Sequence, residues 1–300
     1  MRSNVAMAGA VLLCSLLVPT LFLSRSPSVE AKPKRMKTAT SMICDVQVPA
    51  GGTGLADAID KAAAGARLCL AAGEHTAGVA VARSVTLVGV EGAAKTIVKG
   101  TGRGPVLRVD DDSLSLRIEG LTLSGGVTDA GGALAIRGRG KVHVADCILR
   151  ANKAGMVGGG GLYARAGMLT VERTAFEDNE GRQGGAVFLD QVVKAEFSRC
   201  AFNGNRADGG GAIRVAEGAQ ATVKTSTFTN NAAAGGDAVQ VSGTKSRAAT
   251  VSLQHCEVSD GGLGNGPDIP GAIRLQNNKL PASWRGVAGV KDLGGNTYQP

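Results

Sequence analysis

The stretch Phe176–Asp190 reads FEDNEGRQGGAVFLD, and its plan returns twice. Phe202–Val215 reads FNGNRADGGGAIRV and Phe228–Val241 reads FTNNAAAGGDAVQV. Asn152, Asn179, Asn205 and Asn231 recur at intervals of 27, 26 and 26 residues, with Leu149, Phe176, Phe202 and Phe228 three places before them. Leu134, Leu162, Val187, Ile213, Val239 and Ile273 follow the Gly-Gly or Gly-Ala of each unit. A fixed period of this size marks a solenoid. Inside each unit the apolar residues alternate, as in Leu134/Ile136, Leu169/Val171 and Val187/Leu189. That is a strand period. The pattern predicts an all-β parallel solenoid of about seven or eight rungs over residues 79–276, with three short strands per rung.

The repeats FEDN, FNGN and FTNN with GGAL, GGAV and GGAI resemble the FxxN and GGA[ILV] repeat of polymorphic outer-membrane proteins. More broadly, residues 44–300 resemble the pectin-lyase-like right-handed parallel β-helix superfamily. The resemblance implies that fold. It leaves the activity open, because the superfamily spans lyases, hydrolases, adhesins and inert scaffolds.

Stacking accounts for the repeated letters. Asn at a tight turn tolerates left-handed backbone, and stacked amides can hydrogen-bond from rung to rung. The four Asn therefore read as a structural ladder, continued by Gly126 and Gly261. Phe176, Phe202 and Phe228 read as an inward aromatic stack. Each Gly-Gly marks a corner that a Cβ would crowd. A bare solenoid end exposes sheet edges. TGLADAIDKAAA, Thr53–Ala64, places Leu55, Ala58, Ile59 and Ala62 on one helical face. This predicts a capping helix over 54–64, with Thr53 as its N-cap, inside an N-terminal segment 44–78. Residues 277–300, with Trp284, are expected to cover the other end.

Residues 1–31 carry one Arg, an apolar run and a small-residue cleavage pattern at Val29 and Ala31. They read as a signal peptide or N-terminal anchor, although the basic residues that follow oppose translocation. Residues 32–43 form a basic linker. Bacterial-type export to the periplasm, outer surface or medium is the resulting expectation, with membrane contact only if that segment stays uncleaved. No translocator barrel follows residue 300, so autotransport by this chain alone is not expected. Nucleic acid is not an expected partner of an exported chain.

Cys147, Cys200 and Cys256 fall in one column with Thr174 and Ser226 between them. Two rungs of about 4.8 Å separate successive cysteines, beyond disulfide reach. Cys44 and Cys69 flank the capping helix and could bridge it to the first rung. His75, His143 and His255 are isolated, and no metal-ligand spacing is present.

Any site must use outward columns. One runs Arg137, Arg165, Asp190, Ala216, Ser242, Gln276; its neighbour runs Ala135, Tyr163, Phe188, Arg214, Gln240, Arg274. Arg137, Tyr163, Arg165, Phe188, Arg214 and Arg274 would make a flat, basic, partly aromatic strip suited to an anionic polysaccharide or envelope surface. The net charge of +8 favours anionic partners in general. The first expectation is a non-catalytic scaffold or adhesin-like protein. The alternative is a polysaccharide lyase acting on a uronate polymer, with Arg137 and Arg165 as charge neutraliser and base. Glu172 and Glu196, diagonal neighbours among cations, read as a salt-bridged face. Asp110–Asp112 is the only acid cluster. It is a candidate calcium turn, though an exposed acidic turn is commoner. No other cofactor is implied.

Overall fold

The rung that begins at Met168 shows how the chain coils. Met168–Glu172 is extended, the backbone turns at Arg173, and Ala175–Glu177 follows. It turns again at Asp178, runs out along Glu180–Gln183, reverses at Gly184 and returns along Val187–Leu189. Lys194–Ser198 then pairs in parallel with Met168–Glu172, and the next rung has begun. The computed structural model describes residues 43–191, 193–234, 237–243, 246–265, 273–287 and 289–299. The predicted signal segment 1–31 and nearly all of the basic linker lie outside the described residues.

Stacking the rungs makes four parallel sheets. Sheet A has 11 strands and includes Met168–Glu172; sheet B has 10 and includes Ala175–Glu177. Sheet C has 8 and includes Val187–Leu189, which gives about eight complete turns. The fold is thus the expected parallel β-helix. Sheet D, absent from the three-strand expectation, has 5 strands: Val127–Ala130, Lys153–Gly158, Glu180–Gln183, Arg206–Gly209 and Ala232–Ala233. Those segments hold mostly small and charged residues, and their large apolar ones, Val127, Met156 and Val157, are exposed, so they carry no alternating apolar strand signal. Parallel pairing also runs beyond 79–276 in both directions, from Val46–Val48 to Thr297–Gln299.

The core is built from columns of one residue type. Phe176, Phe202 and Phe228 stack inward with ring centroids 5.0 and 4.7 Å apart, and Phe197 meets the first two edge-on. Each fully buried Phe, Leu or Val contributes about 1.5–3 kcal/mol of transfer free energy.

Both corners beside sheet B are locked by side-chain ladders of one design. The residue at the corner is left-handed, as at Ala151, Asp178, Gly204 and Asn230. The Asn that follows is not left-handed. This corrects the expectation, since the Asn column is kept for its amide. Asn152 Nδ2 donates to Asn179 Oδ1 at 3.0 Å, Asn179 Nδ2 to Asn205 Oδ1 at 3.0 Å, and Asn205 Nδ2 to Asn231 Oδ1 at 2.9 Å. Each of those oxygens also accepts the backbone N–H of the preceding Asn in the ladder. At the other corner the N–H of Cys147 donates to Thr174 Oγ1, that of Cys200 to Ser226 Oγ and that of Cys256 to Asn278 Oδ1. Asn278 then donates to Asn296 Oδ1 at 3.0 Å, so the cysteine column ends in a second amide ladder. Cys147, Cys200 and Cys256 are buried free thiols.

The third corner, between sheets D and C, requires glycine. Gly184 has φ 64° and Gly210 φ 65°, and a Cβ on Gly210 would lie 2.6 Å from the Ile213 carbonyl oxygen.

The helix spans Gly54–Lys61, shorter than the predicted 54–64, and buries Leu55 and Ile59 against the first rungs. Thr53 occupies the predicted N-cap position, but its side chain makes no cap hydrogen bond. Cys44 and Cys69 are joined by a disulfide with Cα atoms 5.7 Å apart. Residues 277–300 are more than a cap. Sheets A and B continue through Val290–Asp292 and Thr297–Gln299, while Trp284 is buried and donates Nε1–H to the Gly261 carbonyl at 2.8 Å.

Candidate anion-binding site

The outer face of sheet C divides the predicted strip into three parts. Arg137, Arg165, Asp190, Ala216 and Ser242 form one column, because each backbone N–H donates to the strand of the rung before it. Strand register puts Asp110 at the head of the same column. Arg137 and Arg165 are exposed, and neither enters an ion pair among the described residues. They stand one rung, about 4.8 Å, apart. The acids on either side of the arginine pair are engaged elsewhere: Asp110 pairs with Arg108 at 2.7 Å, and Asp190 accepts the Tyr163 hydroxyl at 3.3 Å.

Tyr163 and Phe188 are not exposed, contrary to the sequence expectation. They are 6% and 5% accessible, tilted against each other with centroids 5.6 Å apart, in a small cluster with Ala130 and Ala216. The ends of the sheet D strands return over this column. Ala130 closes one such strand, and Gly209 closes another beside Arg214. Arg214 is half-buried and donates to Gln240 Oε1 at 2.6 Å and Ser242 Oγ at 3.2 Å. Burial lowers its pKa, against the pull of Asp190. It is a bridging side chain and not a free contact point. Burial, followed by the charge of Asp190 and the hydrogen bond to it, pushes the Tyr163 phenol up to about 12; Arg165 and Arg137 act the other way. At neutral pH Tyr163 therefore stays protonated.

Arg274 does not belong to the strip. Ile273–Gln276 pairs with Thr250–Gln254 in sheet A, with Arg274 opposite Ser252. The eighth strand of sheet C is Gly262–Asn265. The sequence GAIRL at Gly271–Leu275 imitates the GGA repeat, but the insertion before it shifts the count by one strand. Gln276 moves with it. Arg108, which sequence reasoning overlooked, stands one rung before Ala135 in the Ala135–Tyr163–Phe188 column; counting back one 27-residue period from Ala135 would have found it.

The other candidates resolve into local pairs. Glu172 accepts from Arg173 at 2.9 Å and Glu196 from Lys224 at 2.6 Å. In the acidic turn, Asp111 accepts from the Ser113 N–H and hydroxyl, and Asp112 accepts from the Arg139 N–H. Those three carboxylates serve separate partners, so their donor sets do not fit one calcium ion. A depression of about 620 Å³ lies on sheet D beside Met156, Arg182, Arg206 and Asp208, away from the arginine pair.

Residues 98–279 match the family model described as right handed beta helix region, and the chain belongs to that family. No curated protein matches it at a comparable level. Among solved structures it is similar to the PL6 family alginate lyase AlyGC, with 13% identity and a TM-score of 0.56 over 85% of this chain. It spans only 39% of that enzyme. It is also similar to Escherichia coli YbhC, with 14% identity, a TM-score of 0.50 and 88% of each chain covered. A pectin methylesterase from Aspergillus niger aligns at 12% identity over 86% of this chain and 82% of its own, with a TM-score of 0.44. At these identities the first two likenesses bear on the fold alone.

Proposed function

We propose that this chain is an exported, envelope-associated β-helix scaffold that binds an acidic polysaccharide without cleaving it. One observation carries the reading: two exposed guanidinium groups, Arg137 and Arg165, stand on adjacent rungs without a carboxylate partner. An anionic polymer running along the solenoid axis would meet one cation on each of these two rungs. The phenol of Tyr163 lies beneath them, protonated and already donating to Asp190. That arrangement supports binding over elimination, because a lyase needs a group beside the uronate that accepts a proton. The repeat resemblance and the apolar N-terminus support export.

The test is retention of the full chain on alginate and polygalacturonate beads across a salt series, with product absorbance at the unsaturated bond followed in parallel. Arg137→Ser with Arg165→Ser should lower affinity about tenfold, at roughly 0.5–1 kcal/mol per exposed charge. The melting curve should not move. Retention should fall as the screening length shrinks from about 10 Å to about 3 Å. Retention equal in wild type and double variant would refute the site. Release of unsaturated ends by the wild type would replace binding with catalysis.

A further inference from the structure

The geometry points to a second site, on sheet A, for a small oxyanion such as a phosphate or sulfate monoester. Its outer face carries three columns with an ordered charge. The first runs Ser115, Lys141, Met168, Lys194. The second runs Arg117, His143, Thr170, Glu196, and the third contains Glu119 and Glu172. Glu119 and Glu172 therefore stand on the far side of the second column from Lys141, and Glu196, within that column, is taken up by Lys224 at 2.6 Å. Glu119 is held by Arg67 at 3.0 Å and by Arg117, and Glu172 by Arg173.

A depression of about 270 Å³ lies on the other, basic side, lined by Ser115, Arg117, Lys141, His143, Met168 and Thr170. Its polar rim is rich in uncommitted donors. Among the described residues, Lys141 enters no ion pair and the Ser115 and Thr170 hydroxyls enter no hydrogen bond. Arg117 gives Nε–H to Glu119 and an Nη1–H to His143 Nδ1 at 2.9 Å, which leaves Nη2. Because Nδ1 accepts, the His143 proton sits on Nε2, 3.8 Å from Glu172. An ammonium, a guanidinium and two hydroxyls around one hollow select an oxyanion over a cation. Met168, 57% exposed, offers an apolar wall for the body that carries it.

Inorganic phosphate and phenyl phosphate are the probes, and the ring C–H resonances of His143 are the reporter in the full chain. The expected result is a saturable shift with both, at lower concentration with phenyl phosphate. Lys141→Ser should weaken binding about tenfold, the loss of one charge-assisted contact. Arg137→Ser with Arg165→Ser should leave the titration unchanged, and Lys141→Ser should leave glycan retention unchanged, so the two sites fail independently. Shifts that rise linearly without saturating, or that persist in Lys141→Ser, would overturn the assignment. Saturation with inorganic phosphate but no gain from the phenyl group would remove Met168 from the site.

Discussion

Replacing Asn205 by alanine tests the ladder where it is most loaded. The side chain is fully buried, and its Oδ1 accepts from Asn179 N at 3.1 Å and from Asn179 Nδ2 at 3.0 Å. Its Nδ2 donates to the Phe176 carbonyl at 2.9 Å and to Asn231 Oδ1 at 2.9 Å. Alanine leaves the Asn179 backbone N–H without an acceptor in a dry interior. An orphaned buried donor costs about 1–3 kcal/mol, and each further lost hydrogen bond about 0.5–1.5 kcal/mol net. The total should be about 3 kcal/mol, read as a fall in the urea midpoint at unchanged slope. Asn152→Ala should cost less, because Asn152 Oδ1 serves a single donor, the Gly126 N–H at 3.0 Å. Asn205→Asp should be worse than alanine, since a carboxylate would face three acceptor oxygens, those of Phe176, Asn203 and Asn231. An Asn205→Ala protein within about 0.5 kcal/mol of wild type, the scatter of inert substitutions, would refute the ladder as a source of stability.

Burial pushes the thiols of Cys147, Cys200 and Cys256 up to about 12, 11 and 11. In the chain freed of residues 1–31, which hold Cys14, they should stay silent to a thiol reagent at mild alkaline pH and react as three equivalents on denaturation; any Cys147–Cys200 cross-link in folded protein would contradict the rung spacing. Burial, followed by the charge of Arg117, lowers the His143 pKa below its ordinary 6.5. The unfolded chain then takes up the proton first, so stability should be lost as pH falls below about 6.5. His143→Gln should flatten that part of the pH–stability curve, and an unchanged curve would count against it. Phe202 stacks on both sides, so Phe202→Ala should cost about 3–5 kcal/mol by denaturant titration.

The period alone determined which residues share a column. Parallel stacking places residue i of one rung over a residue about 26 positions on, so the Asn, Phe and cysteine columns are legible as spacing. Spacing failed where the period broke. Cys256, Asn278 and Asn296 are 22 and 18 residues apart, which hid the second amide ladder. The insertion before Gly271 sent Arg274 to the wrong sheet. Sheet D left no alternating apolar signal, because the column Thr128, Ala154, Gly181 and Ala207 holds only small residues, and at Gly181 a Cβ would lie 2.8 Å from the Gly160 nitrogen. Tertiary structure alone decided that Tyr163 and Phe188, outward by alternation, are covered, while Arg137 and Arg165 remain open. Alternation fixes the side of the sheet on which a side chain projects. Whether water reaches it depends on what folds over that side, here the returning ends of the sheet D strands. No pattern within sheet C encodes that cover.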